Sequence, residues 1–119
     1  MTPYDDPAAT RSDGGADLRD LLDRELRRVT DRLRTLDLDR LERPGPDGRT
    51  TAERAHDTAQ ALADLAADAV GRARRSLPVL PAHAVADQVT VTGHDLIAEG
   101  GEGAIRAGVE RLVALRRSL

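Results

Sequence analysis

The chain has no cysteine, which excludes disulfides, cysteine-ligated zinc and a thiol nucleophile. Tryptophan and phenylalanine are also absent and Tyr4 is the one aromatic residue, so there is no platform on which nucleic-acid bases would stack. Lysine and asparagine are missing too, and all 18 basic residues are arginine. The missing types are mostly those of AT-rich codons, so the preference for arginine reads as a coding bias and by itself says nothing about phosphate. No stretch approaches the roughly 18 consecutive apolar residues of a membrane span. The polar start Met1–Gly15 lacks the basic-then-apolar order of a signal peptide. These absences lead to the expectation of a cytoplasmic protein with no membrane partner. Charges of both signs are interspersed, with a net charge of -3, which suits a solvated surface and argues against a nucleic-acid partner.

What the chain does contain is helical periodicity. Leu18, Leu22, Leu26, Val29, Leu33 and Leu36 recur at spacings of three and four, which predicts one apolar face on a helix. Asp13, Asp17 and Asp20 are expected at its positive end, and residues 1–15 as a disordered tail. Leu38 and Leu41 suggest a short turn closing the end of the domain, followed by a Pro44–Gly48 loop. Thr50 and Glu53 form a capping-box pattern opening a second helix. Its stripe is Ala55, Ala59, Leu62, Ala66, Ala69 and Ala73, with Arg72, Arg74 and Arg75 placed at the negative end. Pro78 and Pro81 break the chain. Val85, Val89, Thr92 and Leu96 fit a third helix. The alternation over Val89–Thr92 also fits a strand, but a lone strand would have no partner. Ile105, Val109, Leu112 and Leu119 mark a fourth helix after the Gly100–Gly103 break. The 119 residues are therefore expected to form one all-α domain over residues 16–119, an up-down four-helix bundle.

The polar residues set among valines and alanines between Pro78 and Ile97 are the most informative part of the sequence. His56, on the second helix, and His94 with Asp95, on the third, are the candidate ligands for a divalent metal such as zinc, with Asp57 as a further carboxylate. They lack a His-x-x-x-His spacing, and the alternative is that they are half-exposed helix residues with no ion. Asp87, Gln88, Thr90 and Thr92 are candidates for a buried polar network. The threonines can instead bond their own helix carbonyls, the expectation favoured here.

Two runs resemble a known family. Leu36–Pro44, the Gly-containing loop and Thr50–His56 resemble the first-helix end, loop and His-bearing second helix of DinB-like four-helix bundles, in particular the N-terminal domain of mycothiol-dependent maleylpyruvate isomerase-like proteins. Asp87–Leu96 resembles the family's third-helix motif, in which a Glu and a His four residues later bind metal ahead of an Asp-Leu. Under that resemblance His56 matches the first metal histidine. The Glu position falls on Gln88 and the second His position on Thr92, neither a good ligand, and His94 lies two residues beyond. The resemblance implies a bundle that has lost its metal site. No complete catalytic constellation is present, and the expectation is a non-enzymatic accessory, regulatory or partner-binding protein with no cofactor, binding another protein or a second copy of itself. A metal-dependent enzyme acting on a small molecule or thiol is the alternative.

Overall fold

A computed structural model describes the backbone of residues 7–119 and the side chains of residues 15–119. Among the described residues there are only helices, turns and one isolated bridge between Pro44 and Thr50. Helix α1 spans Pro7–Thr35. Of the tail expected over residues 1–15, residues 1–6 lie outside the described ones, and the helix bounds begin at Pro7. Asp17 and Asp20 consequently lie within the helix and not at its first turn. The leucine stripe does what its spacing predicts, with Leu22, Leu26, Val29 and Leu33 almost completely buried. Helix α2, Leu38–Glu42, is a single turn capped by the Asp37 carboxylate, which accepts from the Arg40 N–H at 2.9 Å; it buries Leu41.

Helix α3, Thr51–Ala69, opens with the expected capping box. Thr50 Oγ1 accepts from the Glu53 N–H at 3.0 Å, and Glu53 Oε1 accepts from the Thr50 N–H at 2.9 Å. Its buried face is Ala55, Ala59, Leu62 and Ala66. The expected stripe ran on to Ala73, but the helix stops at Ala69. Gly71 takes φ 70°, and Arg72 N–H reaches the Ala67 carbonyl at 2.8 Å while Gly71 N–H reaches that of Asp68 at 3.3 Å. This left-handed glycine termination satisfies the last carbonyls by backbone alone. Two of the three arginines expected at the helix end instead pair with side chains: Arg74 with Asp68 at 2.6 Å, Arg72 with Glu99 at 2.9 Å.

An irregular connector, Arg72–Pro81, follows, and then a short 3₁₀ turn, Ala82–Ala84, leading into helix α4, Val85–Glu99. Helix α5 is Glu102–Ser118. The strand alternative for Val89–Thr92 is thus resolved as helix. Gly93 lies inside α4 because it must: a Cβ placed there would come within 2.5 Å of Leu26 Cδ1, so a buried leucine of α1 occupies the space of the missing side chain.

α1 packs on α4 and α5, and α3 packs on the same two helices, giving a closed square with α1 and α3 across one diagonal. Side-chain contacts fix the directions. Arg34 near the end of α1 meets Asp87 at the start of α4, while Arg19 donates to the carbonyls of Ile97 and Gly100, so these two helices are antiparallel. His56 meets Gln88 near both N-terminal ends of α3 and α4, and Arg72 meets Glu99 at the other ends, so those two run parallel. The direction order is up, down, down, up, not the strict alternation that short connections alone impose. A parallel pair needs a crossover, and the connector supplies it. Extended at about 3.3 Å per residue, Arg72–Pro81 returns along the 19-residue α3, whose length is ~28 Å.

Candidate functional site

The connector does not hang loose. The Gln60 side chain on α3 holds its middle, donating to the Arg75 carbonyl at 3.0 Å and accepting from the Leu77 N–H at 2.8 Å. Gln88 on α4 holds its end, its amide Nε2 donating to the Pro78 carbonyl at 2.9 Å. Gln88 is buried, so both halves of its amide need partners. The other half, Oε1, lies 2.9 Å from His56 Nδ1. A carbonyl can only accept, so Pro78 fixes the amide orientation, and Oε1 then requires a proton on His56 Nδ1. The neutral imidazole of His56 is thereby held as the Nδ1–H tautomer, with the lone pair on Nε2. Among the described residues no hydrogen-bond partner meets Nε2.

His56 lines a groove of about 270 Å³ between the first turns of α3, the end of the connector and the start of α4. Its apolar walls are Ala52, Val79, Leu80 and Val85. Val79 is 86% exposed, an unusual position for an ordered valine beside an apolar hollow. The polar rim is already committed. Arg49 pairs with Asp57, and Glu53 closes the capping box. The Glu53 carboxyl is held below its usual range, chiefly by the Thr50 backbone N–H and then by the Thr50 hydroxyl. The groove can therefore accept an apolar group and offer it one fixed hydrogen-bond acceptor.

The expected site residues divide among different surfaces. His56 faces this groove, half-buried, whereas His94 and Asp95 are exposed on α4. Among the described residues no three His, Asp or Glu side chains come together as a set able to hold a metal ion. Asp57 is taken by Arg49. The expected polar network over residues 87–92 also divides. Asp87 and Thr90 both receive the Arg34 guanidinium at 3.2 Å on the α1 side. Gln88 faces α3 and the connector. The threonines satisfy themselves, Thr90 Oγ1 donating to the Ala86 carbonyl at 2.8 Å and Thr92 Oγ1 to that of Gln88 at 3.0 Å.

Sequence reasoning did not find the pairing of Gln88 with His56, nor the clamp made by Gln60. It also missed Glu25, buried between α1 and α5, where Arg116 Nε donates to Oε2 at 2.9 Å. The signal for Glu25 was available, since it falls between Leu22 and Val29 at stripe spacing. Every buried side-chain nitrogen and oxygen among the described residues has a partner.

The class that the fold defines is an all-α helical bundle, with one apolar groove beside an oriented histidine. No protein-family model, curated protein or solved structure matches the chain. Among the described residues no helix is long and apolar enough to cross a membrane.

Proposed function

We propose that this chain is a non-catalytic cytoplasmic binding module that docks an extended apolar segment of a partner protein along the connector and into the His56 groove. The observation that carries the reading is the connector itself. Gln60 and Gln88 hold it extended, yet among the described residues the Val79 and Leu80 N–H groups make no hydrogen bond and both side chains are exposed. An extended strap with unpaired backbone and an apolar hollow beside it suits a second extended peptide, which would supply main-chain hydrogen bonds and one apolar anchor. His56 Nε2 would accept a hydrogen bond from a donor next to that anchor. Among the described residues Gln88 is the one side chain hydrogen-bonded to His56, which leaves the Nε2 lone pair free for a donor on the partner.

The test is a photo-crosslinking residue placed at Val79 and, as a control, at exposed Val91 on α4. The expected result is one discrete adduct from Val79 and none from Val91. The adduct is identified by mass spectrometry, and binding of the purified partner is expected to weaken at least about tenfold in Val79→Asp. Equal labelling from both positions, or a partner whose affinity Val79→Asp leaves unchanged, overturns the reading. An adduct between two copies of the chain would make the occupant a second copy.

A further inference from the structure

A second hollow lies on the other side of Arg49. It is about 220 Å³, between the Pro44–Arg49 loop, the start of α3 and the end of α5, and four of its lining residues are Arg40, Arg43, Arg49 and Arg54. No aspartate or glutamate side chain lines it; Ser118 and Leu119 do, and no ion pair to Leu119 forms among the described residues. Arginine is abundant in this chain, so its presence means little; its placement means more. Two of these guanidinium groups have carboxylate partners outside the hollow and two have none among the described residues, so positive charge is left over on its wall for an anion to join.

Two of the four are set in place from outside the hollow. Arg54 Nη2 donates to Asp47 Oδ1 at 2.6 Å, and the same oxygen accepts from the Arg49 N–H at 3.0 Å. That backbone bond, and then Arg54, hold the Asp47 carboxyl below its usual range, so the anchor stays ionised. The loop is closed by the Gly45 N–H on the Arg49 carbonyl at 2.8 Å and the Gly48 N–H on that of Gly45 at 2.9 Å. A Cβ on residue 45 would stand 2.9 Å from Arg54 Nη2, so glycine there makes room for the guanidinium against the loop. Arg49 is held by Asp57. On the opposite wall, Arg40 and Arg43 have no carboxylate partner among the described residues.

We propose that this hollow is an oxyanion site for a phosphate group, either free phosphate or a small phosphate ester. Arg54 and Arg49 form its preset wall, and Arg40 and Arg43 close on the ligand. Guanidinium forks pair with phosphate oxygens two at a time, and a tetrahedral dianion accepts from more than one fork at once. The proposal stands independently of partner docking at the His56 groove.

Amide chemical shifts are followed by ¹H–¹⁵N NMR at constant ionic strength while sodium chloride is exchanged for inorganic phosphate, pyrophosphate or phenyl phosphate. The expected result is saturable shifts at Gly45, Arg49 and Arg54, with affinity at least about tenfold weaker in the double variant Arg40→Gln/Arg43→Gln. Both positions are exposed and unpaired, so that variant folds, and an unchanged spectrum elsewhere checks it. Arg106→Gln, on α5 away from the hollow, is expected to bind as the parent does. Tighter binding of phenyl phosphate than of inorganic phosphate assigns the site to a phosphate ester, and equal binding assigns it to free phosphate. Non-saturable shifts, shifts equal to those in chloride, or affinity unchanged in the double variant overturn the proposal.

Discussion

Helix α4 is gripped from two sides by opposite means. Against α1 it offers Gly93, and Leu26 fills the space with hydrocarbon. Against α3 and the connector it offers Gln88, whose amide is used at both ends by His56 and Pro78. The apolar contact is buried and the polar one part-buried. The first depends on shape and the second on hydrogen-bond direction. The difference teaches where specificity resides in this bundle: the apolar side fixes how closely the helices approach, and the polar side fixes where the crossover strap lies and which imidazole nitrogen faces out.

The contrast can be broken from either side. The largest effect is expected at the apolar contact. Leu26→Ala removes a fully buried leucine from the Gly93 recess and should cost about 2–5 kcal/mol of unfolding free energy by chemical denaturation. Adding Gly93→Ala to that variant should recover part of the loss, because the new methyl group enters vacated space and alanine favours the helix by about 1 kcal/mol. If the double variant is less stable than Leu26→Ala alone, Leu26 and Gly93 do not share one recess.

At the polar contact a smaller but more local effect is expected. Gln88→Ala leaves His56 Nδ1 and the Pro78 carbonyl without their partner, which should cost about 1–3 kcal/mol. The diagnostic reading is the His56 ¹⁵N spectrum at neutral imidazole. The parent should show one Nδ1–H tautomer, and Gln88→Ala a mixture. A mixture already present in the parent would contradict the lock.

The smallest effect lies in the acid range. The carboxyl of Glu53 is depressed in the folded protein by its capping hydrogen bonds. Its contribution is therefore complete above the ordinary unfolded value, about 4.3, and is lost as pH falls through the lower folded value. Glu53→Gln should melt slightly below the parent at neutral pH and depend less steeply on acid, so that the two melting curves converge as pH drops. Parallel curves down to the acid limit would show that the cap's ionisation contributes nothing.

Much of this fold was legible from single residues. The spacing of Leu22, Leu26, Val29 and Leu33 identifies the buried face directly, since burial follows helical phase. Thr50 and Glu53 mark a helix start whose hydrogen bonds are local, and the self-satisfied threonines are local as well. What phase cannot supply is a partner. Gln88 and His56 each sit at the edge of a stripe, and nothing in their own neighbourhoods says that the two edges meet. The end of α3 was misplaced because Ala73 kept the period, while the left-handed turn at Gly71 stopped the helix first. The helix directions were within reach: a connector containing Pro78 and Pro81, long enough when extended to pass the whole of α3, already allows a parallel pair.

That crossover also bears on how the chain finds its fold. Helices α4 and α5, joined by a tight glycine turn, mainly face across the square and do not lie side by side, and α1 and α3 do the same. No face of the bundle is therefore a local helical hairpin able to form early on its own. Each must wait for segments distant in sequence, or for the strap to be laid down. Proteins dominated by non-local pairings fold more slowly than those rich in local ones at similar stability. This bundle should accordingly refold more slowly than an alternating four-helix protein of its size, with the docking of residues 72–81 among its last steps.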